Sequence, residues 1–124
     1  MQQSKNTEEN SQFLGDERFF EMTCVIPKHT GLPCIIWIST KMGNQEAHIK
    51  VQGDYSTKMN SNQLFRVTIA NRPQVIGETR ELSDSDIEYV KEFVKLNKRI
   101  LLDFWNEVEI DVVKVILQLK QVPF

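Results

Sequence analysis

Glycine is scarce in this chain, with five in 124 residues, and no two stand close together. That scarcity excludes the glycine-rich loops that cradle phosphates, and no Walker loop, dinucleotide fingerprint or nucleophile elbow occurs. Cysteine is scarcer still. Cys24 and Cys34 are too few for a disulfide scaffold. Free thiols in a reducing cytoplasm are the simplest reading, although the two could lie on neighbouring strands, which leaves a bridge open. Long hydrophobic runs are missing. The longest, Cys34 to Ile38, is far too short to span a bilayer. No excess of one charge is present either: 15 basic residues face 17 acidic ones, for a net charge of -2. No global basic field therefore points to nucleic acid or an acidic membrane. The opening MQQSKNTEENSQ lacks the basic-then-apolar order of a secretion signal, so a cytoplasmic, non-membrane protein of bacterial type is expected.

What is there suffices for one domain with its own core: 40% of the residues are hydrophobic and 26% charged. Residues 1–16 hold almost no large apolar side chain and are expected to be a disordered tail, leaving 17–124 as a single α+β domain. From Arg18 to Thr79 the apolar period is two. Phe20, Met22, Cys24 and Ile26 alternate with Glu21, Thr23 and Val25. Residues 27–33 read as a turn or loop. Cys34 to Ile38 has no polar side and suits a strand covered on both faces, at least in part. Met42-Gly43-Asn44 turns the chain. Ala47, Ile49 and Val51 alternate with His48, Lys50 and Gln52; a polar connection follows from Gly53 to Asn62. Phe65, Val67 and Ile69 oppose Arg66 and Thr68, and Gln74 to Thr79 reads as a short edge strand. About five short strands with brief turns make an antiparallel meander.

One long helix, about 83–107, follows. Ser83 is an N-cap, Asp86 completes a capping box, and Leu82 with Ile87 form a hydrophobic staple. Ile87, Val90, Val94, Leu101, Phe104, Trp105 and Val108 recur at three and four and mark the buried face; Asn97 is its one polar interruption. Laid on one face of the sheet, this helix buries both apolar sets and leaves the other sheet face wet. The tail after Glu109 reads two ways. Val113, Val115, Leu117 and Leu119 alternate as a strand would, whereas Ile110, Val113, Ile116 and Leu117 fit a short helix capped by Asp111.

The chemistry-bearing residues form no constellation. His48, on the wet strand face beside Lys50 and near Asp54 and Tyr55, is the one candidate for acid–base work or phosphate binding, but nothing in its spacing guarantees a partner. His29 lies in a loop. The order Cys24, His29, Cys34, His48 contains no C-x-x-C or H-x-x-x-H zinc spacing. Catalytic residues, metal and cofactor are therefore all assigned as none. Trp37, Trp105 and Phe104 read as core. Lys91, Lys95, Lys98 and Arg99 share a helix surface that, with Lys50 and Lys58, could face a nucleic-acid backbone, diluted by Glu88, Glu92 and Asp103.

Val90-Lys91-Glu92-Phe93, then Asn97, then Leu101-Leu102-Asp103-Phe104-Trp105 resembles the helix V-K-E-W…H…L-L…W of a family of small bacterial and archaeal proteins of unknown function. Upstream, Ala47-His48-Ile49…Gly53-Asp54-Tyr55 is similar to that family's H-F-H…Y-G-x-Y strand. Aligned on Gly53, Ala47 and Ile49 occupy the two histidine positions, so the pair is not retained. The resemblance spans roughly residues 34–108. It implies a sheet followed by one long helix and favours a short helix in the tail. It also implies an accessory or interaction role, since such proteins often sit near toxin–antitoxin genes.

The leading expectation is a non-enzymatic protein-interaction module that binds a protein partner or a second copy of itself. The candidate surface comprises His48, Lys50, Gln52, Tyr55, Arg66 and Thr68, joined by Lys95 and Arg99. Glu21 and Thr23 should line the same sheet face. An accessory factor linked to nucleic acid is the alternative, and a small His-dependent hydrolase ranks last.

Overall fold

Strands joined by short turns pair most readily with their neighbours in sequence, and these do so. The computed structural model describes residues 22–53, 64–79 and 82–122. Five strands form one antiparallel sheet: β1 (Met22–Val25), β2 (Ile35–Ser39), β3 (His48–Gln52), β4 (Leu64–Thr68) and β5 (Val75–Ile76). Their spatial order is their chain order. The α+β meander expected from the alternation is thus the architecture of the protein. The expected tail over 1–16 and the connection holding Asp54, Tyr55 and Lys58 lie outside the described residues.

Register assigns each side chain to a face. Val25, Ile36, Val51 and Phe65 stand opposite one another across β1 to β4. Ile49, Val67 and Val75 do the same across β3 to β5, and Ile38 belongs to the same side. This is the helix side, and it holds the core. The β1 parity differs from expectation. Val25 points into the core and Thr23 shares its side, opposite Ile38, while Met22 and Cys24 face the reverse. Over four described residues, with Met and Cys at home in either setting, β-branched Val25 decides the side.

The helix begins as its sequence prescribes. The Asp86 N–H donates to Ser83 Oγ at 3.1 Å and the Ser83 N–H donates to Asp86 Oδ2 at 3.2 Å, closing the capping box. Leu82 packs against the core cluster to which buried Ile87 belongs. The helix is not continuous, however. It runs as α2 (Asp84–Leu96) and α3 (Lys98–Trp105), interrupted at Asn97. Asn97 Nδ2 donates to the Phe93 carbonyl at 3.0 Å, a side-chain bond that competes with the backbone ladder. The same amide donates to the Lys120 carbonyl at 2.9 Å, and the Lys120 N–H donates to Asn97 Oδ1 at 2.7 Å. The polar interruption of the apolar stripe is thus a buried, fully partnered amide that ties the chain's C-terminal stretch to the helix pair.

Helix α3 closes with Glu107 in the left-handed region, at φ 61°. The Val108 N–H donates to Asp103 O at 2.8 Å and the Glu107 N–H to Phe104 O at 3.1 Å, the Schellman pattern in which glycine is usual. This turn throws Val108 outward, so the last residue expected in the buried stripe is 75% exposed. The ambiguous tail is helical: α4 (Val112–Gln118) is capped by Asp111, whose Oδ1 accepts from Val113 N at 3.0 Å. Beyond α4 the chain returns to α1 (Pro27–Thr30), a single turn inside the stretch expected to be loop. The Val122 N–H donates to Thr30 O at 3.2 Å, and Gln121 Nε2 donates to Lys28 O at 2.7 Å. Gly31 makes this approach possible. Its φ is 76°, and a Cβ there would lie 3.1 Å from the Val122 carbonyl oxygen.

Candidate functional site

The reverse face of the sheet is where the expected interaction surface should lie. Three of its residues, His48, Gln52 and Thr68, are buried rather than wet. Alternation read them correctly as polar and as sharing one side of the sheet, but local partners allow them to leave water. The Gln74 N–H donates to Thr68 Oγ1 at 2.8 Å as the chain folds back toward β5. The Trp37 indole N–H donates to Gln52 Oε1 at 3.2 Å. Trp37, expected in the core, is therefore a half-buried residue of the reverse face, next to Lys50 in register.

His48 has the most constrained setting. One ring nitrogen, Nδ1, lies 2.7 Å from the Glu46 carbonyl oxygen. A carbonyl can only accept, so Nδ1 carries the proton and Nε2 presents a lone pair. That Nε2 is buried without a hydrogen-bond partner among the described residues. Trp105 reaches over from the end of α3, with ring centroids 5.0 Å apart and planes at 58°. Its carbonyl accepts the Lys41 N–H at 2.8 Å, which holds α3 against the turn after β2. Burial keeps the imidazole below its ordinary pKa. The Glu46 carbonyl pulls the other way, and the positive charges of Arg66 and Lys50 reinforce the depression. At neutral pH His48 is an uncharged acceptor.

Lys50 and Arg66 are directly opposite on β3 and β4, both half-buried. Burial lowers the Lys50 pKa and the guanidinium beside it lowers it further. Arg66 Nη1 donates to Gln45 Oε1 at 2.9 Å. Both residues border an open groove of about 370 Å³, shared with Leu64, Phe65, Ile76 and Gly77.

Lys95 and Arg99 do not join this surface. They are exposed on the outer side of the helix pair, while the core-facing residues of that pair pack against the opposite sheet face. Lys95 is 2.6 Å from Glu92, and Lys91 is 3.5 Å from Glu88, so the helix bases expected to face nucleic acid are partly neutralised. Tyr55 lies outside the described residues. The candidate surface is thus split in two: a half-buried cationic row on the reverse of the sheet, and an ion-paired helix exterior.

The cysteines cannot approach one another as neighbours on a shared face. Cys24 is on the reverse side, and Cys34 is in the core, where burial, with Asp86 adding to it, pushes its thiol up to about 12. Both are free. Among the described residues no three His, Cys, Asp or Glu are grouped to hold a metal ion, and no helix is long and apolar enough to cross a membrane.

One exposed surface was not anticipated. Val108, Ile110, Val113 and Leu117 are 75%, 59%, 64% and 78% exposed. They follow one another along the connection from α3 and the outer side of α4. Its inner side carries Val115, fully buried, with Val112 packed against the core. The signal was in the sequence: VVKVIL is apolar at every position but Lys114, more than one buried stripe requires.

No family model matches the chain, no curated protein is similar to it, and no solved structure matches it.

Proposed function

We propose that this protein is a small non-enzymatic interaction module, and that it engages a protein partner or a second copy of itself through the outer side of α4. The observation that carries this reading is the run of four exposed apolar side chains, Val108, Ile110, Val113 and Leu117. Large apolar side chains exposed in close succession along the chain are a feature of contact sites more than scattered single ones are. Its mounting supports the same reading, because α4 is capped at one end by Asp111 and followed at the other by the Asn97–Lys120 pairing.

The test is the double variant Val113→Lys with Leu117→Lys, compared with wild type by sedimentation over a wide concentration range and by cross-linking in host extract. Both side chains are solvent-facing, so stability should be unchanged within about 0.5 kcal/mol. Self-association or the specific cross-linked partner should disappear. A wild-type protein that stays monomeric, with a set of cross-links identical to that of the double variant, would overturn the reading.

A further inference from the structure

We propose that Lys50 and Arg66, with the groove that they border on the reverse of the sheet, form a binding site for a small phosphomonoester. This site is separate from the α4 surface and does not depend on it.

Like charges directly opposite on neighbouring antiparallel strands are destabilising, and Lys50 and Arg66 stand in that relation on β3 and β4. Both are half-buried, so water screens them incompletely. Among the described residues no carboxylate pairs with either; the ion pairs formed there both lie on α2. The charge of Glu46 acts on His48, and Glu46 is itself exposed. An anion between the two cations would relieve their mutual repulsion.

Arg66 is oriented by its bond to Gln45 Oε1, which occupies one of its five donors and leaves the others for a ligand. Lys50 has no hydrogen-bond or ion-pair partner among the described residues. The groove volume of about 370 Å³ falls in the range of small-molecule sites. Its walls are mixed: two cations alongside the side chains of Leu64 and Ile76, the latter 40% exposed, while Phe65 borders the groove but turns its side chain to the core. Such a lining suits a ligand with an anionic head and a compact apolar body. A phosphomonoester fits the head best, because it carries close to two negative charges at neutral pH and three acceptor oxygens, enough to engage both side chains. A nucleic-acid backbone, with one charge per phosphate, would gain little from only two cations.

The experiment uses the full chain, labelled with nitrogen-15, and two probes, inorganic phosphate and phenyl phosphate, at matched ionic strength. Saturable shifts are expected at the amides of Lys50, Arg66, Ile76 and Gly77, with phenyl phosphate binding more tightly than inorganic phosphate. Lys50→Gln and Arg66→Gln should each weaken phenyl phosphate by about tenfold or more, the equivalent of roughly 1.4 kcal/mol. Arg66→Lys should recover part of the loss. His48 supplies an independent reading. Its titration midpoint should rise when phosphate offsets the two cations, and should not respond to phosphate in Lys50→Gln. Shifts that fail to saturate, or wild-type affinity for phenyl phosphate in both Gln variants, would sink the proposal. So would binding of a single-stranded oligonucleotide without terminal phosphate at these amides while phenyl phosphate leaves them unmoved.

Discussion

The two sides of the sheet are made by the same strands, yet they exclude water by different means. On the helix side Val25, Ile36, Ile38, Ile49, Val51, Phe65 and Val67 meet Val90, Phe93, Val94, Leu101 and Phe104, and the contact is apolar throughout. The reverse side buries His48, Gln52 and Thr68 beside half-buried Lys50 and Arg66. There each polar atom must find a partner or remain a cost. The helix side therefore holds most of the stability. The reverse side holds the chemistry: an uncharged imidazole and two neighbouring cations that, among the described residues, have respectively no hydrogen-bond partner at Nε2 and no paired acid. The comparison also shows that period-two alternation reports the polarity of a face, not its exposure.

Three measurements test this contrast. The largest effect is expected on the helix side. Phe93 is fully buried, and Phe93→Ala should cost about 3–5 kcal/mol by denaturant unfolding, the range for emptying an aromatic core site. A loss below that found for reverse-face variants would invert the contrast.

His48 gives an intermediate effect that depends on pH. Its folded-state pKa is below its ordinary value of 6.5, so between the two values the unfolded chain binds the proton first. Stability is then fully present above pH 6.5 and declines as pH falls toward the folded value. The slope from this one group is at most about 1.4 kcal/mol per pH unit. His48→Gln should flatten that part of the stability profile; a profile unchanged by the substitution would assign the slope to another group.

The smallest effect has the opposite sign. Lys50→Met removes one of two opposed charges and should stabilise the protein by about 0.5 kcal/mol, within the range for cross-strand pairs. Arg66→Met in the Lys50→Met background should then give less than the sum of the single effects. Strict additivity would mean that the two charges do not sense each other.

The legible parts of this molecule are those decided by neighbours in sequence. Ser83, Asp86, Leu82 and Ile87 announce the start of the helix within six residues, and the structure uses all four. Meander order follows from turn spacing. The burial of His48, Gln52 and Thr68 was not legible because their partners come from elsewhere: a carbonyl two residues away, an indole across the strand pair, an amide beyond the next turn. Asn97 stood out as a lone polar residue in an apolar stripe. What it holds, Lys120, is 23 positions further on, beyond the reach of any local pattern. The functional surfaces divide the same way. Lys50 and Arg66 were visible as strand bases and the apolar excess of VVKVIL was visible too, whereas the exposure of Val108 depended on a turn at Glu107 that no residue type there signals.

The pairing of Asn97 with both backbone groups of Lys120 has a kinetic corollary. It closes a loop through α3 and α4, and the Val122–Thr30 bond anchors the far end. Val113 and Leu117 thus project from a ridge that is already in place. A molecule that docks there need not wait for the ridge to fold, nor offset the entropy of ordering it. Its association should then run at the pace of rigid-body encounters, on the order of 10⁵–10⁷ M⁻¹s⁻¹.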